Sequence, residues 1–402
     1  MLYTVATPLR SRIIRKARRA VLLVMLVLLA ALIGLALCSQ RPLQPGLSRA
    51  SDNASNAPRA LEQRQFAPYL NRLELLPPAT ADASRTVTFG THLENVYDVS
   101  LRDRSFRIEG WYWLRWPAAI NTLLKERQIP PSSIIEFTNL IESNDMLLEP
   151  IQPAPRRLDN GDFLQEFRYS AKLYISEINL HAFPFIDLTL PISIEFKPDE
   201  LFCSADNQSD CVGLLVDQES IQGTLGEFVT INGYTTQGIW TQEVLHQYPT
   251  GFGRRALVAV PAIRLQIAYN TEPFVAFIYY IFPLLVLMGV ALMSPFLPAQ
   301  LGDVRLAIPT TILLTLIFLQ GGYRQELPPQ AYLSYLDWLY MYAYLVAAVL
   351  FGLFCWSTHR FSQVEGSEQQ IKVTQQIQRL DSLFQGLTGG TLVLLLLWML
   401  RL

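Results

Sequence analysis

Six side chains in one apolar stretch are best placed to do chemistry. In residues 302–323, GDVRLAIPTTILLTLIFLQGGY, about 100° of turn per residue puts Asp303, Ala307, Thr310, Thr311, Leu314 and Phe318 in one stripe. Gly321 and Gln325 continue it. A narrow stripe with a carboxylate at one end, hydroxyls in the middle and bulky apolar groups beyond them resembles a pore lining. Ile308, Ile312, Leu316 and Leu319 fall on the other side and suit lipid or a neighbouring helix. The same stretch also fits a plain membrane helix whose threonines bond back to the preceding turn, and taken alone it leaves both open.

Other reactive groups are sparse. Of four histidines, His92, His181 and His246 stand in the part of the chain with strand-like sequence, and an unperturbed imidazole titrates near neutrality. Cys203 and Cys211 form a close pair in a polar segment, which suggests a local disulfide and an oxidising compartment. Cys38 and Cys355 sit in apolar runs. A zinc site would need a His or a second Cys pair beside 203–211, so no metal and no cofactor is expected. There is no phosphate-cradling Gly-rich loop with a lysine, no HExxH and no GxSxG, so an enzyme is not expected.

The elements that would position these groups follow from composition. Half of the 402 residues are hydrophobic and 16% are charged, unlike an ordinary soluble protein. A net charge of −2 gives no sign of nucleic-acid binding. Apolar spans are expected at about 274–293, 304–322, 332–356 and 386–402, each near the ~20 residues that cross a bilayer. Pro283 should free the Tyr279 carbonyl and bend the first span, and Pro309 should free that of Arg305. Gly389 and Gly390 would let a neighbouring backbone approach the last span. The glutamine-rich segment 358–382 reads as a polar loop.

Ahead of the spans, residues 85–270 carry short β-branched and aromatic runs. Strands are expected at 86–97, 106–116, 133–140, 163–175, 188–196, 213–216, 239–244 and 256–269, as in a β-sandwich. Trp111, Tyr112, Trp113 and Trp116 suit core and edge packing, or else a ligand cage. Residues 39–84 read as a linker with one short helix within 60–76. Residues 1–38, basic from Arg10 to Arg19 and then apolar, read as a signal peptide or signal anchor, and either would export the β domain. The segment 358–382, with Arg360, Lys372 and Arg379, then falls in the cytoplasm.

Several motifs come in a telling order. They are VTFGTHLENVYDVSLRDRSFRIEGWYWLRWP (87–117), HAFPFIDLTL (181–190), YYIFPLL around Pro283, DVRLAIPTTILLTLIFLQGGYRQELPP (303–329) and QRLDSLFQGL (378–387). Over residues 87–402 the chain resembles a pentameric ligand-gated ion channel subunit of the prokaryotic type. The resemblance implies a homopentamer in a lipid bilayer, here a bacterial inner membrane with the β domain in the periplasm. It implies a pore lined by Asp303, Ala307, Thr310, Thr311, Leu314 and Phe318, passing monovalent cations through a ring of Asp303 carboxylates. Arg305, about 200° from Asp303 around the helix, should face protein.

A small-molecule or proton agonist is implied between adjacent sandwiches, with Trp113 and Arg115 on one side and Tyr234, Tyr248 and Phe252 on the other. The gating contact would join Phe183, Pro184, Phe185 and Asp187 to Asp98, Arg324 and Pro328, with Glu326 a further partner for ion pairs. The chain departs from the family at four places. Ile186 stands where an aspartate usually follows Phe-Pro-Phe, and the cysteine pair of the animal receptors' loop is missing. NTEP (270–273) lacks the usual basic residue, and Pro309 is unusual in the pore helix. The rival expectation is a membrane-anchored sensor or adhesion protein that conducts no ions. A secondary transporter would call for an internal repeat, which four spans do not show.

Overall fold

The computed structural model describes residues 74–76, 85–142, 146–176, 178–197, 212–220, 223–248, 259–364 and 367–399. The expected signal segment, most of the linker, the Cys203 and Cys211 pair and Phe252 lie outside the described residues. Within them, a β domain of mixed sheets precedes four helices long and apolar enough to cross a membrane.

The strands are β1 (Glu74–Leu76), β2 (Thr86–Ser100), β3 (Ser105–Trp116), β4 (Ile135–Phe137), β5 (Leu147–Pro150), β6 (Arg156–Arg157), β7 (Phe163–Tyr174), β8 (Asp187–Phe196), β9 (Gly213–Val216), β10 (Leu225–Phe228), β11 (Tyr234–Gln247) and β12 (Ala259–Thr271). One sheet runs β1-β11-β12-β8-β4, the other β10-β2-β3-β7-β5, with β6 added to β7 and β9 to β2. Inner residues of both sheets share one core. The strict alternation of β3 decides which aromatics enter it. Phe106, Ile108, Tyr112, Leu114 and Trp116 are buried, while Trp111, Trp113 and Arg115 point to the outer face. Tyr112 stacks on Phe167 with ring centres 4.9 Å apart and meets Tyr169 edge-on at 5.5 Å.

Several expectations change. The strand expected at 133–140 shrinks to β4, because Pro131–Ser133 forms a helical turn that Pro130 and Pro131 favour. β11 extends well beyond 239–244, since its polar residues occupy the open face of a half-buried sheet, while β12 matches its expected strand and runs two residues past 269, with 256–258 outside the described residues. A short helix, α1 (Ala118–Glu126), was hidden by its length; Ile120 and Leu124, four apart, bury its inner face. The part of the linker that is described, β1, is a strand paired with β11.

The four long helices are α2 (Pro273–Phe296), α3 (Gly302–Arg324), α4 (Tyr335–Ser362) and α5 (Ser367–Met399). In α2, a π-helical turn at Phe277–Ile281 comes immediately before Phe282 and Pro283. Such a turn re-registers the ladder where proline lacks a donor. α3 runs through Pro309 as one helix, with the ring buried. The expected polar loop 358–382 is largely helix. α4 continues to Ser362 and α5 begins at Ser367. Val373 and Ile377 explain this, because they lie four apart and bury one side of the glutamine-rich turn sequence beside Ala299. Of the expected glycine pair, Gly389 is buried and Gly390 faces open space, and beside them the Tyr342 hydroxyl of α4 donates to the Thr388 carbonyl at 2.6 Å.

Candidate functional site

α3 packs by one edge only. Arg305, Pro309, Ile312, Leu316 and Tyr323 are its buried residues. Asp303, Ala307, Thr310, Thr311, Leu314 and Phe318 are all exposed, Leu314 by 55% and Phe318 by 70%. Ile308 and Leu319 are half-buried, so the packed edge is narrower than the four-residue side opposite the stripe. Only 22% of the α3 span is buried within the chain, against 50% for α2. The hydroxyls of Thr310, Thr311 and Thr315 donate to the carbonyls of Leu306, Ala307 and Thr311 at 2.8–2.9 Å. Each threonine oxygen therefore keeps its lone pairs for a further donor or a cation, and offers no hydrogen.

Arg305 anchors the start of this helix. It is 1% exposed, its Nη2 donates to both carboxylate oxygens of Asp381 at 3.0 and 2.9 Å, and its Cζ lies 4.2 Å over the Phe354 ring. The pair joins α3 to α5, and the ring belongs to α4. One turn earlier, a Cβ on Gly302 would stand 2.6 Å from Thr358 Cγ2, so glycine lets α3 start hard against α4. With Arg305 turned into protein, Asp303 is left outside.

At the other end of α3 the β7–β8 loop enters the helix cluster. Leu180, Phe183 and Ile186 are buried there with Phe277, Tyr323 and Leu327. The Phe183 ring sits between Tyr280 (4.9 Å, edge-on) and Tyr323 (6.2 Å, stacked). The Phe183–Pro184 peptide is cis, Pro184 is buried, and Phe185 packs half-buried at the edge. His181 stacks on Tyr332 at 3.8 Å, and the Tyr332 hydroxyl accepts from the Leu180 N–H at 3.1 Å. The Tyr335 N–H donates to the His181 carbonyl at 2.9 Å.

The two tyrosines are themselves held by acids. Tyr280 donates to Glu326 at 2.6 Å, and Tyr323 donates to Asp337. Asp337 also accepts from Arg324 at 2.8 Å and from Ser334 N–H and Oγ, closing a capping box on α4.

Among the described residues, the charges expected to bridge the two parts make no ion pair across them. Asp98 pairs with Arg107 on the neighbouring strand, Arg324 with Asp337 in the next helix, and Asp187 is exposed at the start of β8. Of the charged side chains, Arg102 does reach across the junction, its Nη1 donating to the Gln325 carbonyl at 3.5 Å. Tyr332, Asp337 and Asp381 were missed in the sequence. The spacing Ser334-x-x-Asp337 was a usable capping signal. Nothing in the sequence pairs Arg305 with a residue 76 positions away.

The expected agonist residues do not converge. Tyr234 opens β11 and Tyr248 follows its far end, so at about 3.3 Å per residue they stand on the order of 45 Å apart. Tyr234 packs half-buried against the sandwich core at the helix-facing end, where burial and then the Glu326 charge raise its phenol above the ordinary value. Trp113 lies over Gly90, where a Cβ would meet the indole at 2.3 Å, and its Nε1 donates to Asp217 at 3.0 Å. Its ring is fastened to its own sheet. Arg115 stands half-buried on the same outer face, with no hydrogen bond or ion pair among the described residues.

Tyr248 instead joins a charged cluster on the outer face of the other sheet. Glu195 is 1% exposed and accepts from His246 Nδ1 at 2.8 Å, Tyr248 Oη at 2.6 Å and Arg264 Nη2 at 2.7 Å. Ala262 stands directly beside Glu195 in register, small enough for the carboxylate to reach past it. Burial raises the carboxyl, but the His246 and Tyr248 hydrogen bonds and the attraction of His246 and Arg264 outweigh it and hold Glu195 below its ordinary range. Burial and the bond to Glu195 push the Tyr248 phenol up. His92 bridges the Gly223 carbonyl (2.5 Å) and Glu94 (3.1 Å) on the other sheet. His92, His181 and His246 thus sit in three separate places.

Among the described residues no cluster of His, Cys, Asp and Glu could hold a metal. The order of parts, a β domain and then four apolar helices with a β loop seated among them, is compatible with the architecture of the channel subunits that the sequence resembles. No family model and no curated protein matches the chain.

Proposed function

We propose that the chain is a subunit of a pentameric ligand-gated channel, with α3 lining a cation pathway and the β domain receiving the agonist from the periplasmic side of a bacterial inner membrane. One observation carries this reading: α3 buries Arg305, Ile312 and Leu316 but leaves Asp303, Thr310, Thr311, Leu314 and Phe318 uncovered. A helix that places a carboxylate and two hydroxyls on its uncovered side suits a wet axis better than lipid, where an unpaired carboxylate is costly. Copies arranged around that axis would stack Asp303, Thr311 and Leu314 as rings.

The seat of Phe183 between Tyr280 and Tyr323 supplies a mechanical route. A ligand that favours one arrangement of the sandwich shifts the ends of α2 and α3 by its differential affinity and no more. The test is purified full-length protein in a planar bilayer under asymmetric salt, with pH steps and a panel of small amines. Agonist-evoked current reversing toward the cation potential is the expected result, and Asp303→Asn should move the reversal potential toward zero. Protein that cross-links only as monomers or dimers in membranes, without evoked current, would instead be the anchored sensor.

A further inference from the structure

A cavity of 460 Å³ opens where the β2–β3 turn meets the segment between α3 and α4. Arg102 reaches it from the β domain and Arg324 from the end of α3. Arg102 makes one long bond, to the Gln325 carbonyl, and the Arg324 side chain is 56% exposed. Asp337 is the one carboxylate in the lining, and its oxygens are already taken by Tyr323, Arg324 and Ser334. Glu326 is the next acid along the chain and lies outside the lining, receiving the Tyr280 hydroxyl. Two guanidiniums against one carboxylate leave the wall with one excess positive charge.

The backbone adds donors. The N–H groups of Gln330, Ala331, Tyr332 and Leu333, all lining residues, bond to no acceptor among the described residues. N–H groups without a protein acceptor, on a lining segment beside excess positive charge, can serve a bound anion as further donors. Leu327, Pro328 and Leu333 supply an apolar wall that would suit the carbon part of an organic anion.

We propose that this cavity binds a singly charged oxyanion group, a phosphate or a carboxylate, held between Arg102 and Arg324. Bound there, the anion joins the β domain to the end of α3 through charge-assisted hydrogen bonds that neither arginine makes to the other part's acids. The site belongs to one chain, so it goes beyond the channel reading and stands whether or not the protein conducts. The anion can come from a phospholipid headgroup, because the cavity lies at the end of the apolar helices, or from solution.

Full-length protein in phosphatidylcholine nanodiscs tests this by its thermal midpoint in two arms. One arm titrates inorganic phosphate against chloride at matched ionic strength, and the other replaces part of the lipid with phosphatidylglycerol. The midpoint should rise in at least one arm, and which arm responds identifies the source. Arg102→Gln should weaken the response about tenfold, as expected for loss of a charged hydrogen bond. Arg102→Lys should keep part of it, and Arg107→Gln, which alters a cation paired with Asp98 outside the cavity, should respond as the parent. No rise in either arm, or a full response by Arg102→Gln, would overturn the site, and the second outcome also separates specific binding from general salt effects.

Discussion

Two buried carboxylates show how single residues hold this protein together. Asp381 faces Arg305 with both groups out of water, a setting in which removing one partner strands the other charge. Arg305→Gln should therefore cost about 3–5 kcal/mol. Replacing both, Arg305→Met with Asp381→Leu, should recover most of that, since an apolar pair of similar volume needs no desolvation of charge. Unfolding midpoints of the single and double variants in detergent decide it; a single variant as stable as the parent removes the anchor role. Glu195 gives a pH signature. Its folded carboxyl titrates below the ordinary glutamate range, so its contribution is complete above that range and is lost as the pH falls through the lowered value. Glu195→Gln should be less stable at neutral pH and show a shallower loss of thermal midpoint in acid. A parent curve that is flat in acid would show that the cluster does not stabilise the sheet.

At the scale of elements, the β7–β8 loop is the contact that matters most. Its backbone and rings bind the α3–α4 segment directly, through Phe183, His181 and the two bonds to Tyr332 and Tyr335. The loop packs into the helix cluster, while β7 and β8 on either side belong to the sandwich core. Phe183→Ala should remove up to about 3–5 kcal/mol of packing, the usual range for a buried phenylalanine. Because the loss falls at the junction, hydrogen exchange should speed up in 178–186 and 325–335 while β3 and β7 keep their protection. Uniform protection across the junction in the variant would mean that the ring contributes little to joining the two parts. Much of this element was legible beforehand. The family resemblance of HAFPFIDLTL marks it as a contact loop and 188–196 reads as a strand, but Tyr280, Tyr323 and Tyr332 gather around the loop only because three separate helix ends meet there.

For the whole molecule the consequence to test is assembly. On the proposed reading, five copies around one axis would turn the uncovered Leu314 and Phe318 into apolar rings. Leu314→Ser should raise resting current or ease opening in a bilayer recording, because a hydroxyl ring holds water where leucine expels it. Unchanged resting current and activation would place the gate elsewhere. Cross-linking in native membranes should stop at five copies. Tyr234 and Tyr248 stand at opposite ends of β11, so a single agonist pocket between copies would not draw on both.

What the sequence determined by itself is what repeats along the chain. β-Branched and aromatic runs marked β2 and β3 as strands, the long apolar runs marked the four helices, and about 100° per residue separated Asp303 from Arg305. Local geometry dictates these features, so neighbouring residues suffice to read them. Tertiary structure alone decided the partners: Asp381 for Arg305, Asp337 for Tyr323 and Arg324, and Glu195 for His246, Tyr248 and Arg264. It also turned a polar stretch into the first turns of α5, because Val373 and Ile377 found Ala299 to pack against. Each of these depends on which surfaces meet across tens of residues, and burial, which sets the strength of every charge involved, exists only once they have met.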